Sequence, residues 1–139
     1  MYRLKSEASF DSAHFLAGYE GKCRNLHGHR WRIIAQIRSM ELEKAGQLRG
    51  MMLDFGDFRR VLGELADEYD HALIIETDSL KERTKEALLD ENFRLIEMPF
   101  RPTAENFARL FFDRLQEQGF DVYEVEVYET PNNCAVYRK

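Results

Sequence analysis

The fold is decided by residues 23–38, Cys23-Arg24-Asn25-Leu26-His27-Gly28-His29-Arg30-Trp31-Arg32-Ile33-Ile34-Ala35-Gln36-Ile37-Arg38. Successive side chains of a β-strand point to opposite faces of its sheet. From residue 27 onward, one face carries His27, His29, Trp31, Ile33, Ala35 and Ile37, and the other carries Arg30, Arg32, Gln36 and Arg38. This alternation predicts a half-buried strand over residues 27–38, with both histidines on the same face at its beginning.

Other strand-like segments lie on both sides of this strand. They cover residues 2–14, 93–98, 122–129 and 134–138, and the last two flank a turn of sequence Thr-Pro-Asn-Asn. On the strand over 122–129, the side chains of Tyr123, Val125, Val127 and Glu129 share one face. Glu129 therefore ends an apolar row, where a carboxylate needs a partner that donates hydrogen bonds.

Three helices are predicted between these strands. Apolar residues recur at helical spacing from residue 55 to 69, after Asp54 as N-cap. A shorter helix is predicted over residues 79–90, and a third begins after Thr103 as N-cap and stops at Gly119. The order β-β-α-α-β-α-β-β predicts a single α+β domain over residues 1–139, with an antiparallel sheet and helices on one face.

Composition excludes several classes of function. The net charge is −5 and no basic cluster stands out, which argues against nucleic acid as a partner. No apolar run approaches the roughly 20 residues that span a bilayer, and the first seven residues contain no signal core. The two cysteines, Cys23 and Cys134, do not make a disulfide framework. We therefore expect a cytoplasmic protein with free thiols and no membrane partner.

The histidines predict a metal site. The chain has four, and three of them, His14, His27 and His29, lie at the ends of neighbouring predicted strands. His-x-His alone is a weak signal, because two solvated histidines on a polar strand face would give the same pattern. His14 could also be a core histidine bonded to the backbone. The favoured interpretation is zinc, because imidazole is its commonest protein ligand and three of them leave the fourth position open.

Cys23 has three interpretations that spacing cannot separate. The residue could be a buried apolar side chain, a fourth zinc ligand in a closed structural site, or a base or nucleophile beside the metal. The charged, glycine-containing loop around it favours an exposed and functional thiol. Asp70-His71 has two interpretations. The histidine could simply be favourable at the C-terminus of a helix, or the aspartate could orient the imidazole for proton transfer.

Together these residues resemble the 6-pyruvoyltetrahydropterin synthase family. The matching motifs are Phe10-x-x-Ala13-His14, Cys23-x-x-x-His27-Gly28-His29, Asp70-His71, Pro102-Thr103-x-Glu105-Asn106 and Val127-Tyr128-Glu129-Thr130. The three-residue gap after Cys23 is similar to the bacterial branch of the family, which makes 6-carboxy-5,6,7,8-tetrahydropterin in queuosine biosynthesis. Tyr69 departs from the leucine that usually precedes Asp-His, and the stretch from Ile75 to Arg101 is longer than in compact members.

The resemblance implies a tunnelling fold, in which homo-oligomerisation to a trimer or hexamer closes a barrel with active sites between subunits. It implies that His14, His27 and His29 hold Zn²⁺. It also implies that Cys23 is the general base and that Asp70 with His71 is a second proton-transfer pair. Substrate-binding roles follow for the remaining motif residues: Glu129 would anchor the pterin, and Thr103 and Glu105 would shape its pocket.

The implied activity is that of a carbon–carbon lyase. Its substrate would be 7,8-dihydroneopterin triphosphate, which is converted to 6-carboxytetrahydropterin, acetaldehyde and triphosphate. Arg30 and Arg32 are possible contributors to a basic triphosphate pocket. Two alternatives stay open: a 6-pyruvoyltetrahydropterin synthase that eliminates triphosphate only, and a non-catalytic, zinc-stabilised pterin-binding module. A zinc hydrolase with Glu105 or Asp70 as base has the least support.

Overall fold

A computed structural model describes the whole chain, from Met1 to Lys139. It contains six strands, three helices and a single 3₁₀ turn at Lys22–Arg24. The elements are β1 (Tyr2–His14), β2 (His27–Ser39), α1 (Phe55–Asp67), β3 (Ala72–Glu76), α2 (Glu82–Asp90), β4 (Leu95–Met98), α3 (Ala104–Glu117), β5 (Val122–Thr130) and β6 (Asn133–Tyr137). No helix is long and apolar enough to cross a bilayer.

All six strands form one sheet in the order β4-β3-β1-β2-β5-β6. The pairs β1–β2, β2–β5 and β5–β6 are antiparallel, as predicted. The prediction of a wholly antiparallel sheet was wrong at the other edge, because β3 pairs with β1 in parallel and β4 pairs with β3 in parallel. The sheet is therefore mixed, and β3 is a strand that the sequence analysis missed. The α+β class is confirmed.

The first and third helices begin where their caps predict. Asp54 Oδ1 accepts a hydrogen bond from the Gly56 N–H at 2.6 Å, and Thr103 Oγ1 accepts one from the Asn106 N–H at 3.3 Å. These bonds satisfy amide groups that a helix start otherwise leaves without a partner. α2 begins at Glu82, after Lys81 as N-cap, which is later than the predicted start at residue 79.

One hydrophobic core lies between the sheet and the two capped helices. Trp31 and Phe107 are fully buried, with ring centroids 4.9 Å apart, and Phe10 stacks on Trp31 at 6.0 Å. Truncating a buried aromatic of this size to alanine costs about 3–5 kcal/mol of unfolding free energy. Trp31 also lies edge-on to the His14 ring at 5.0 Å and to the His29 ring at 5.4 Å, so the core supports the histidines directly.

A bulge changes which side chains of β5 face the core. The β2–β5 register shifts between Gln36 and Ile37, and Ile37 pairs with Val122. Val122 is buried, whereas Tyr123 is half-buried and lies under the guanidinium group of Arg3 at 4.5 Å. The predicted row of Tyr123, Val125, Val127 and Glu129 is therefore wrong at its first member. A bulge inserts one extra residue and shifts every side chain before it by one position.

Candidate active site

The antiparallel register of β1 and β2 creates a three-histidine cluster. His14, the last residue of β1, pairs directly with His27, the first residue of β2, and His29 follows on the same face. His14 Nε2 lies 3.0 Å from His27 Nε2. One ring nitrogen from each of the three histidines lies within 4.8 Å of the others, which makes the cluster a candidate metal site. His14 is almost fully buried, while His27 and His29 are half-buried.

Backbone carbonyls fix the orientation of two rings. His14 Nδ1–H donates to the Pro102 carbonyl at 2.7 Å, and His27 Nδ1–H donates to the Asn25 carbonyl at 2.6 Å. A carbonyl oxygen can only accept, so each bond places the proton on Nδ1 and leaves Nε2 with a lone pair. Such bonds on the far nitrogen are typical of histidines that ligate a metal.

The donor set fits a cation. The Nε2 lone pairs of His14 and His27 face each other at 3.0 Å, an arrangement that a shared cation stabilises. His29 Nε2 is buried without a hydrogen-bond partner, and its nearest anionic neighbour is Glu129 Oε1 at 3.4 Å. Burial lowers the pKa of His14 to about 4 despite the opposing Pro102 bond, and it also lowers the pKa of His29. Neutral imidazole is the form that binds metal.

Cys23 is close to the histidines in sequence but is not a member of their cluster. It lies on the 3₁₀ turn between β1 and β2 and is half-buried. Its carbonyl accepts a hydrogen bond from the Leu16 N–H at 2.9 Å, which closes the loop that follows β1. Of the three interpretations from sequence, this geometry disfavours full burial and a fourth zinc ligand. It leaves a half-buried thiol on the loop that leads into the strand of His27 and His29.

Asp70 and His71 form a side-chain pair just after α1. His71 Nδ1 lies 2.7 Å from Asp70 Oδ2, and the His71 backbone has a left-handed φ of 51°. Asp11 on β1 holds the pair from both sides: its N–H donates to Asp70 Oδ1 at 2.8 Å, and its carbonyl accepts from the His71 N–H at 2.6 Å. The Asp11 amide and then His71 lower the pKa of Asp70, which keeps that carboxylate ionised. The His71 ring is exposed.

Within one chain, this pair and the histidine cluster lie on different faces of β1. His14 shares the buried face with Phe10 and Ser12, whereas the Asp11 side chain points the other way and pairs with Arg30 at 2.9 Å. An open cavity of about 680 Å³ has both His71 and His29 on its lining, together with Leu88, Phe93 and Arg94. The structure therefore brings the metal-ligand candidates together, and within one chain the Asp70–His71 pair shares a cavity with His29 without joining the cluster.

Glu129 and Glu105 line a common cavity of about 220 Å³ at the start of α3. Its other lining residues are Ala104, Asn133, Cys134 and Ala135. Glu129 also contacts His29, so it lies between this cavity and the histidine cluster. Thr103 does not line the cavity, because its hydroxyl caps α3. The proposed substrate residues thus divide into two cavity-lining carboxylates and one helix cap.

Arg30 and Arg32 line a cavity of about 490 Å³ together with His29 and Glu129. Arg30 makes two hydrogen bonds to the Asp11 carboxylate, and Arg32 pairs with Glu7 at 3.3 Å and lies over the Tyr128 ring at 4.3 Å. Within one chain the two guanidinium groups are therefore paired with carboxylates on β1, and their role in a triphosphate pocket stays a prediction.

Three supporting residues were missed by the sequence analysis. The Pro102 carbonyl orients His14, the Asp11 backbone holds the Asp70–His71 pair, and Arg94 donates to the Glu68 and Asp70 carbonyls at 2.5 and 2.6 Å. These interactions use backbone groups, which carry no residue-specific signal in a single sequence. Arg94 satisfies carbonyls that the end of α1 leaves without partners.

Known proteins share this arrangement of sequence and fold. The sequence pattern of 6-pyruvoyl tetrahydropterin synthase matches residues 3–139. The chain belongs to the 6-pyruvoyl tetrahydropterin synthase family. A Haemophilus influenzae relative named 6-carboxy-5,6,7,8-tetrahydropterin synthase is 35% identical and aligns over 100% of both chains. A Synechocystis relative of the same name is 32% identical over 99% of this chain and 93% of its own.

Solved structures of the family share the fold. An uncharacterised protein from Wolinella succinogenes superimposes with a TM-score of 0.77 at 25% identity, covering 99% of this chain and 98% of the other. The 6-pyruvoyltetrahydropterin synthase of Plasmodium vivax gives a TM-score of 0.72 at 20% identity, over 99% and 97% of the two chains. The mixed sheet with its helices is therefore the tunnelling fold of this family.

Proposed function

We propose that this chain is a zinc-dependent 6-carboxy-5,6,7,8-tetrahydropterin synthase of queuosine biosynthesis. It would convert 7,8-dihydroneopterin triphosphate and water to 6-carboxytetrahydropterin, acetaldehyde and triphosphate. The names of its full-length relatives support this reaction. The observation that carries the proposal is the three-imidazole cluster, whose His29 Nε2 has no hydrogen-bond partner and faces Glu129. A cytoplasmic location stays a prediction, supported by the two free cysteines.

His14, His27 and His29 would hold Zn²⁺. When bound, zinc supplies a Lewis acid that polarises hydroxyl groups on the substrate side chain. The protein orients two of the three ligands through the Pro102 and Asn25 carbonyls. Trp31 lies against the His14 and His29 rings and closes the site on the core side. Because the protein offers three nitrogen ligands and no thiolate, a coordination position is left for substrate.

Cys23 would act as the general base. Its thiolate form would remove a carbon-bound proton from the substrate side chain. Its place outside the histidine cluster supports this role over ligation. His71 would transfer a second proton elsewhere on the side chain. Asp70, which stays ionised because the Asp11 amide and His71 lower its pKa, would hold the His71 ring in place.

Glu129 and Glu105 would bind the pterin. The 2-amino-pyrimidinone edge of a pterin presents two adjacent N–H groups, which match the two oxygens of one carboxylate. Glu129 is the better anchor, because it borders both the 220 Å³ cavity and the histidine cluster. Glu105 and the Thr103 cap would then shape the pocket through the start of α3.

A complete site would require a homo-oligomer. Within one chain Asp70 and His71 do not join the histidine cluster, although His71 and His29 line the same open cavity. If one subunit contributes the histidines and its neighbour contributes Asp70 and His71, both halves face the same substrate. A trimer, or two trimers stacked as a hexamer, that closes a barrel satisfies this geometry.

Product analysis tests the proposal. Zinc-loaded protein is incubated with 7,8-dihydroneopterin triphosphate, and acetaldehyde and triphosphate are quantified. We expect both products in equal amounts. Triphosphate without acetaldehyde would favour the 6-pyruvoyltetrahydropterin synthase reaction instead. Tight pterin binding with neither product would favour a non-catalytic binding module.

A further inference from the structure

Arg101 connects the metal ligands to the loop that carries Cys23. Its guanidinium group donates to the Ala17 carbonyl at 2.6 Å, across 84 positions of sequence. The side chain is half-buried and makes no salt bridge. A charged donor makes a stronger hydrogen bond than a neutral one, so this contact ties the loop to residue 101.

The Ala17 carbonyl lies where the chain leaves β1. Leu16 N–H donates to the Cys23 carbonyl at 2.9 Å, so residues 16 and 23 close the loop at its base. Gly18 follows with a left-handed φ of 73°, which turns the chain away from the strand. Arg101 therefore holds the loop at Ala17, six positions before Cys23, whose carbonyl closes the loop through its bond to Leu16.

The backbone next to Arg101 is equally fixed, and it orients a metal ligand. The Arg101 carbonyl accepts from the Thr103 N–H at 2.8 Å and from Asn106 Nδ2–H at 2.9 Å. Pro102, the next residue, is buried, and its carbonyl accepts the His14 Nδ1–H bond. One dipeptide, Arg101-Pro102, thus contacts the metal-ligand cluster with its backbone and the thiol loop with its side chain.

We propose that Arg101 is a positioning residue that sets the place of the Cys23 thiol relative to the three-histidine cluster. The thiol loop and His14 both contact the dipeptide that precedes α3. This shared contact fixes the position of the loop relative to His14. The inference rests on the proposed function for its catalytic consequence. Its structural consequence, a constrained Cys23, stands on the contacts alone.

Thiol alkylation tests the constraint without any pterin. Cys23 and Cys134 of the full-length, zinc-loaded protein are alkylated with iodoacetamide, and both rates are followed by mass spectrometry. Cys134 is exposed on β6 and serves as the internal control. In Arg101→Ala we expect the Cys23 rate to rise about fivefold, because losing a hydrogen bond to a charged group lets the loop open more often. The Cys134 rate and the zinc content should stay at wild-type levels.

Arg101→Lys provides the conservative variant, because an ammonium group still offers a donor to the Ala17 carbonyl. We expect it to restore most of the wild-type Cys23 rate and, with the pterin substrate, to keep kcat closer to wild type than Arg101→Ala does. In Arg101→Ala kcat should fall with little change in KM. An unchanged Cys23 alkylation rate in folded Arg101→Ala would overturn the inference, and so would equal acceleration at Cys134. Absence of turnover in the wild-type protein would reject the proposed function. The alkylation rates would still decide whether Arg101 constrains Cys23.

Discussion

His71 Nδ1 lies 2.7 Å from Asp70 Oδ2, and the two residues are adjacent in the chain. Neighbouring side chains on an extended strand point apart, so this contact requires a special backbone. The left-handed φ of 51° at His71 provides it. The Asp11 backbone and Arg94 hold that conformation from two directions. A conformation that costs free energy for a residue with a Cβ, and that is held by several hydrogen bonds, supports the proton-transfer role proposed for this pair.

Asp70→Asn should weaken the acid sensitivity of folding. The folded-state pKa of Asp70 lies below 3.8, first because of the Asp11 amide and then because of His71. A depressed carboxylate pKa adds stability above the unfolded-state pKa, and that stability is lost as the pH falls through the folded-state value. Between about pH 5 and pH 2 the free energy of unfolding should therefore fall less steeply in the variant than in wild type.

Urea denaturation across this pH range provides the measurement. Asp90→Asn, at the exposed end of α2, is the control and should follow wild type. Equal slopes for wild type and Asp70→Asn would show that the Asp11 amide does not stabilise the Asp70 carboxylate.

His71→Asn should abolish turnover with little loss of stability. Asparagine tolerates left-handed backbone better than most residues, so the turn at position 71 is preserved. A proton-transferring imidazole accelerates a reaction by about 10²–10⁴-fold, and kcat should fall by that factor. Steady-state kinetics and thermal melting are compared with His71→Val, in which the β-branched side chain strains the turn. A His71→Asn enzyme with wild-type kcat would remove His71 from the reaction.

Cys23→Ser should keep bound zinc and lose turnover. The thiol lies outside the histidine cluster, so metal content measured by atomic emission should stay at wild-type stoichiometry. A serine hydroxyl is a far weaker base than a thiolate near neutral pH, so kcat should fall by about 10²-fold or more. Lys22→Ser, at an exposed position of the same 3₁₀ turn, is the control and should keep wild-type zinc content and kcat. Loss of zinc from Cys23→Ser alone would instead indicate a fourth metal ligand.

Glu129→Gln should weaken pterin binding far more than folding. The amide keeps the shape of the side chain but removes the charge and one acceptor, and a hydrogen bond to a charged group contributes about 1.5–3 kcal/mol. The Kd for a pterin, measured by calorimetry, should rise by about one to two orders of magnitude. Glu126→Gln lies on the same strand with its side chain on the other face and should bind normally. Matching Kd values for the two variants would reject the anchor role.

Arg94→Ala should destabilise the fold by about 1–2 kcal/mol, because the carbonyls of Glu68 and Asp70 lose a charged donor at the end of α1. Chemical denaturation measures this change. Arg83→Ala, which removes an exposed arginine from the first turn of α2, is the matched control. A variant as stable as wild type would show that water replaces the Arg94 contacts without cost.

Much of the fold and of the metal site could be predicted from the alternation of β2 and from helix caps. His14 and His27 meet because β1 and β2 are long antiparallel neighbours, which their sequence patterns already indicate. The strand β3, Ala72–Glu76, was missed because its apolar run of four residues after a helix has no period that separates strand from helix. The bulge at β5 was missed because alternation alone assumes a regular ladder.

The supporting contacts of the site could not be predicted from the sequence, for a different reason. The Pro102 carbonyl reaches His14 across 88 positions, and the Asp11 amide reaches Asp70 across 59. Both partners are backbone groups. Every residue has a backbone carbonyl and every residue except proline has a backbone N–H, so neither group marks its residue in the sequence. Long-range proximity of this kind depends on packing the whole sheet, so no local pattern reports it.

The Asp70–His71 pair is held at the backbone of Asp11, three residues before His14 on β1, and it does not join the histidine cluster of its own chain. In a closed ring of identical subunits, each chain would contribute to two active sites. Its histidines would lie in one site and its Asp70–His71 pair in the other. Two inactive variants with substitutions in different parts of the site would therefore restore activity when they are mixed. An equal mixture of Cys23→Ser and His71→Asn chains, unfolded and reassembled together, should recover about a quarter of native activity. Each active site takes its two contributing chains independently, and about one combination in four has both groups intact.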